Sequence, residues 1–229
     1  DVAPDVLNVV PAIVAQIPVK ASDMNHQDLS NCLWASAHLK DVAPDVLKVV
    51  PALVAKIAVK AGDMIPQELS NCLWASTHLK DVAPDVLNVV PALAAQIPVK
   101  ASDMIPQHLS NCLWASAYLK DVAPDVLNTV PALVAEIPVK ASDMIPQQLS
   151  NCLWASAHLK DVAPDVLNVV PALAAQIPVK TSDMKPQELS QCRWAVAELK
   201  HVEPEVLKIK PFIKARKQQK ADRASVKPH

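Results

Sequence analysis

Glycine is nearly absent from this chain, at one residue in 229. Phosphate-cradling loops need glycine for close backbone approach and tight hairpins need it for positive φ, so P-loop chemistry and most strand-rich folds are excluded. Aromatics other than tryptophan are as scarce, with one Tyr and one Phe. No apolar run reaches the roughly 18 residues of a membrane span, because prolines and polar residues interrupt every stretch. What is present is 51% apolar, rich in proline (21 residues), and holds Trp, Cys and Met at five each. Equal counts of three uncommon residues point to one unit copied five times.

The copies are explicit. DVAPDVLNVV opens at Asp1, Asp81 and Asp161, with DVAPDVLKVV at Asp41 and DVAPDVLNTV at Asp121. The period of forty divides the chain into units 1–40, 41–80, 81–120, 121–160 and 161–200. A divergent partial copy follows at 201–229 (HVEPEVLKIK). Such a period belongs to a solenoid or a propeller, and the content of one unit decides between them.

Each unit reads as two helices. Pro4 suits a first helical turn, where its missing N–H costs nothing. Val6, Leu7, Val9, Val10, Ile13, Val14 and Ile17 fall on one arc at 100° steps. Pro11 lies inside that span and predicts a bend or a split into two short helices, and Pro18 is expected to end the element. After the linker Val19–Met24, a second helix opens at Pro66, Pro106, Pro146 and Pro186, or behind the cap Asn25 in the first copy. Leu29, Cys32, Leu33, Ser36, Ala37 and Leu39, with Trp34 at the margin, cover more than half its circumference. A helix buried so widely touches several neighbours, as in a stacked array. The expected fold is all-α, a right-handed α-solenoid of five two-helix repeats.

The chain begins at Asp1 without an initiator Met, which fits a removed targeting segment or further repeats ahead of it. At the other end Lys210 and Lys214 stand where the first copy has Val10 and Val14, so 201–229 is expected to cap the array and carry a basic tail.

Charge divides the same way. Residues 1–200 hold 20 acids and 14 bases, whereas 201–229 hold 3 acids and 8 bases. A mildly acidic body opposes general nucleic-acid affinity, although Lys20, Lys40 and their copies could form two basic ridges. The five cysteines recur at one position, about 8–10 Å apart across stacked helices, too far for disulfides, so buried reduced thiols are expected. His38, His78 and His158 form a row shared with Tyr118 and Glu198. Identical placement once per repeat opposes a metal site or a catalytic cluster, and neither cofactor nor small-molecule substrate is expected. Trp34, Trp74, Trp114, Trp154 and Trp194 are expected in the core rather than as stacking platforms.

The second helix carries a resemblance. PQELSNCLWASTHLK (Pro66 to Lys80) and PQQLSNCLWASAHLK (Pro146 to Lys160) resemble the octotricopeptide repeat, whose unit has a similar Pro-Gln-Glu-Leu start and Leu-Trp-Ala run. The interior proline also resembles that of HEAT repeats, which favour protein partners. The resemblance implies an organellar helical-repeat protein, in plastid or mitochondrion, that binds RNA or serves as an architectural subunit of an organellar ribosome. This chain departs from an RNA reader in that its copies are nearly identical. Two helix positions vary freely and are the expected partner contacts: Asp28, Glu68, His108, Gln148 and Glu188, and His38, His78, Tyr118, His158 and Glu198. The tail residues Lys208, Lys210, Lys214, Arg216, Lys217, Lys220 and Arg223 fit an acidic surface, RNA or lipid headgroups. The reading is a non-enzymatic scaffold docked on a large organellar assembly, with direct RNA binding as the alternative.

Overall fold

The computed structural model describes residues 7–215. Arg216, Lys217, Lys220 and Arg223 lie outside the described residues. Among the described residues the regular elements are all helical, either α or 3-10.

From the second copy onward each repeat opens on a six-residue 3-10 helix that begins at a proline. Residues Pro44–Val49 form a 3-10 helix, and an α-helix then runs over Val50–Lys60. Pro51 has no N–H to give the carbonyl four residues back, that of Leu47. The amide of Val50 donates to the Leu47 carbonyl instead, which is the tighter 3-10 spacing. The same bond recurs from Val90 to Leu87, from Val170 to Leu167 and from Lys210 to Leu207. Of the bend or split expected at this proline the structure shows the split, and Pro51 lies in the first turn of the α-helix, where it is tolerated.

The α-helices, in chain order, are α1 (Val10–Lys20), α2 (His26–Leu39), α3 (Val50–Lys60), α4 (Pro66–Leu79), α5 (Val90–Lys100), α6 (Pro106–Leu119), α7 (Val130–Lys140), α8 (Pro146–Leu159), α9 (Val170–Lys180) and α10 (Pro186–Leu199). Residues 210–215 are helical as well. Pro18 does not end its element, contrary to expectation: α1, α5, α7 and α9 each continue two residues past an interior proline to a lysine. One lost hydrogen bond in a last turn does not outweigh the burial of the face below it.

The chain divides into two compact units, one of the described residues through Met104 with Tyr118–Thr129, the other of Ile105–Ala117 with the described residues from Val130. In the first, α2 and α4 pack along each other, and α3 lies against α2 before it and against Pro84–Val89 after it. In the second, α8 and α10 pack in the same way, and α9 lies against α8 and against Pro204–Ile209. Helix pairs thus stack in series within each unit, the packing of an α-solenoid.

The interior is aliphatic. Leu69, Leu73, Leu93 and Ile97 of the first unit, and Leu149, Leu153, Leu173 and Ile177 of the second, are fully buried. The linker methionines join them: Met64 and Met144 sit in extended backbone right after a 3-10 turn and are fully buried. Their flexible thioethers fill the space below the turn. The cysteines are free, and four are buried. Burial pushes the thiols of Cys72, Cys112 and Cys192 up to about 12 and that of Cys152 higher still, so they act as small apolar side chains, as expected.

Candidate functional site

The tryptophans do not lie in the core, which corrects the expectation for all five. Trp34 and Trp194 are 41% and 38% exposed, and Trp74, Trp114 and Trp154 are half-buried. The second helix brings a histidine over each tryptophan at i+4 in three copies, on the same face and one turn on. The ring of His38 lies 3.8 Å from Trp34, and that of His78 lies 3.8 Å from Trp74. Hydrogen bonds hold them there, because His38 Nδ1 donates to the Trp34 carbonyl at 3.0 Å and His78 Nδ1 to the Trp74 carbonyl at 3.0 Å. In the neutral form this leaves Nε2 as the acceptor.

The pairs then join across repeats. His38 lies 4.8 Å from Trp74 in a stacked arrangement, while Trp34 and Trp74 are 6.4 Å apart. In the second unit His158 lies 3.9 Å from Trp154 and 4.5 Å from Trp194, with the two indoles 6.2 Å apart. Each unit thus carries a continuous tryptophan–histidine ladder along its second helices. The spacing Trp34/His38, Trp74/His78 and Trp154/His158 was readable as an i,i+4 pair in the sequence. Tyr118 and Glu198 replace the histidine in the other copies, and both are exposed.

Burial lowers the pKa of His78 below its ordinary 6.5, opposed by the hydrogen bond to the Trp74 carbonyl and assisted by the nearby His38 and Lys40. Burial also lowers that of His108, whose buried Nδ1 has no hydrogen-bond partner among the described residues. A histidine with a depressed pKa takes up its proton more readily unfolded than folded, so stability is complete above pH 6.5 and falls as pH drops through the lowered values. The melting temperature should therefore fall on acidification below 6.5. His78→Phe, which keeps a ring on Trp74 but cannot titrate, should flatten part of that fall in a pH series of thermal melts. An unchanged slope would mean that His78 titrates alike in both states.

The other variable position is not a free row. Asp28 is exposed, but Glu68 and Glu188 are only 4% and 6% exposed, and His108 and Gln148 are intermediate. Four of the five, Asp28, Glu68, Gln148 and Glu188, cap the second helix. Glu68 accepts the Ile65 amide at 3.0 Å, Gln148 the Ile145 amide at 3.0 Å and Glu188 the Lys185 amide at 2.7 Å. Asp28 and Asn25 form a reciprocal capping box. Glu68 also meets His26 of the preceding repeat at 2.7 Å, and its carbonyl accepts from Ser30 at 3.3 Å. Residues offered as partner contacts thus hold helix ends and repeat junctions. Gln148 already caps its helix as Glu68 does, and a glutamine at 68 can still accept from His26, so Glu68→Gln should cost less than about 0.5 kcal/mol. Glu68→Ala should cost about 1–2 kcal/mol, because it leaves the Ile65 amide and His26 without their partner. Urea titration of both variants checks the order.

Most lysines of the expected ridges are paired or donate to backbone carbonyls. Lys40, Lys80 and Lys120 pair with Asp41, Asp81 and Asp121 at 2.8–2.9 Å, and Lys160 with Asp161 at 3.4 Å. Lys60 and Lys180 reach back to the preceding repeat and donate to the carbonyls of Met24 and Met144 at 2.6 Å. They fasten one repeat to the next and present no cationic stripe.

Towards the end of the described chain the charges separate. Lys208 pairs with Glu205. Lys210 and Lys214 instead border a cleft with Lys200, the last copy in the expected ridges, and with Arg193, which was not among the expected contacts. No group of three or more metal-ligating side chains occurs among the described residues, and no described helix is long and apolar enough to cross a membrane. No family model, curated protein or solved structure matches the chain.

Proposed function

We propose that the protein is a non-enzymatic helical-repeat scaffold that docks a protein partner through its tryptophan–histidine ladders. The carrying observation is the ladder itself: half-exposed indoles, spaced by repeats, on helices locked by buried leucines. Tryptophan is the residue most enriched among energetic anchors of protein interfaces. Its rigid ring loses little entropy on binding. The role of accessory subunit on a large organellar assembly rests on the octotricopeptide resemblance alone.

RNA binding along the same face is supported less well. A base stacks on an open indole face, but in each ladder a histidine already lies 3.8–4.8 Å from each ring centre. The flanking lysines are paired with aspartates, so few counterions remain to be released by phosphates.

The test is to isolate the native protein gently and size it before and after nuclease, with Trp34→Ala/Trp74→Ala beside it. The reading expects a large species that survives nuclease, responds weakly to salt and is lost in the variant. A large species that nuclease dissolves would hand the role to RNA.

A further inference from the structure

The cleft of about 380 Å³ beside α10 is the groove that, one repeat earlier, receives the following helix. At the junction of the fourth and fifth repeats the equivalent positions are Leu153, Ser156, Val170 and Ala174, all buried, where α10 packs on α8 and Pro204–Ile209 packs on α9. At the junction of the fifth repeat and the partial copy those positions become Arg193, Val196, Lys210 and Lys214. Three core sites have turned cationic, and Lys200 adds a fourth charge at the rim. Val196 and Ile213 keep an apolar floor, at 6% and 7% exposed. Arg193, Lys200, Lys210 and Lys214 form no ion pair with any described residue, whereas Lys208, outside the cleft, is paired with Glu205.

A groove built to hold a helix, apolar below and ringed by four unpaired cations, is complementary to one kind of occupant. We propose that it receives an amphipathic helix of a partner protein whose apolar stripe is flanked by carboxylates. Residues 216–229 carry five cations, Arg216, Lys217, Lys220, Arg223 and Lys227, against one acid, Asp222, and would be repelled. A second copy would bring the helix His26–Leu39, which has a single acid, Asp28. This surface is separate from the aromatic ladders and does not depend on their role.

The test uses the full chain and a labelled 14-residue peptide of leucines and glutamates at helical spacing, the length of α10. A matched leucine–lysine peptide, oligouridine RNA and phosphatidylserine vesicles serve as comparisons. The acidic peptide should bind best, more weakly as salt rises. Arg193→Glu/Lys214→Glu should lower its affinity about tenfold or more, because like charges now face each other across the groove. Arg193→Gln/Lys214→Gln gives the same direction with less electrostatic stress on the fold, and Lys208→Gln should stay within about twofold. The proposal is overturned by no binding of the acidic peptide, by equal binding of the lysine peptide, or by equal loss in Lys208→Gln. It is overturned as well if RNA or vesicles bind more tightly in a manner abolished by the Gln variant, which would assign the cleft to phosphates.

Discussion

Leu153→Arg should unfold the C-terminal repeats, at a cost above about 4 kcal/mol, although arginine stands by nature at the equivalent position of the next repeat. Leu153 is fully buried in α8, under α9 and α10. Truncating such a leucine costs about 2–5 kcal/mol through lost burial and cavity formation alone. An arginine adds an unpaired charge in a groove whose neighbours are Leu, Val and Ala, and an uncompensated buried ion costs about 3–5 kcal/mol more. At Arg193 the same side chain reaches solvent, since it is exposed at the rim of the cleft. In a solenoid each repeat is stabilised by its neighbours, so the lesion should sever 161–215 from the repeats before it while leaving those largely folded. Urea unfolding should show a second transition at low denaturant. Hydrogen exchange should locate it in α9 and α10. Arg193→Leu should change stability by less than about 1 kcal/mol, because the side chain is exposed among the described residues. A single cooperative transition for Leu153→Arg, within 1 kcal/mol of the parent, would mean that the groove is open in solution.

The contrast between Leu153 and Arg193 marks what the sequence could and could not convey. The period, the two-helix unit and the buried thiols follow from local patterns, and proline chemistry acts through the chain's own connectivity. Pro51 splits the first helix because one specific carbonyl, that of Leu47, loses its donor. A helical wheel gives an angle, however, and does not say which neighbour covers that angle. Glu68 falls on the polar arc, yet the first turn of α4 abuts α2, so its carboxylate is buried against His26. Trp74 lies at the edge of the apolar arc, and the histidines on either side decide that it stacks at the surface. Met64 belongs to a linker by its position, and only the extended backbone after a 3-10 turn carries it into the core. The Lys40–Asp41 pair sits at adjacent positions across a repeat boundary, where dividing the chain into rows of forty hides it.

Replacing Pro98, Pro138 and Pro178 together by alanine should raise stability by roughly 3–6 kcal/mol. The second repeat is the internal control. It has Ala58 at this position, and α3 spans the same eleven residues as α5, α7 and α9. Alanine therefore fits the backbone already adopted. Each proline withholds an amide from the carbonyl of Ala94, Val134 or Ala174, and its ring crowds that carbonyl, a defect that costs about 3 kcal/mol in a helix interior. The cost is smaller here because the prolines stand in the last turn of their helices. Releasing the proline also returns about 0.4–1 kcal/mol of entropy to the unfolded chain, which works against the substitution. The net is about 1–2 kcal/mol per site, and the three sites lie in different repeats and should add. Ala58→Pro should lose a similar amount, which separates a backbone effect from any change in hydrophobicity. Urea unfolding of the triple variant and of Ala58→Pro decides the matter. A gain below 1 kcal/mol in the first, with no loss in the second, would mean that the last turn of these helices is already frayed in solution and that proline costs it nothing.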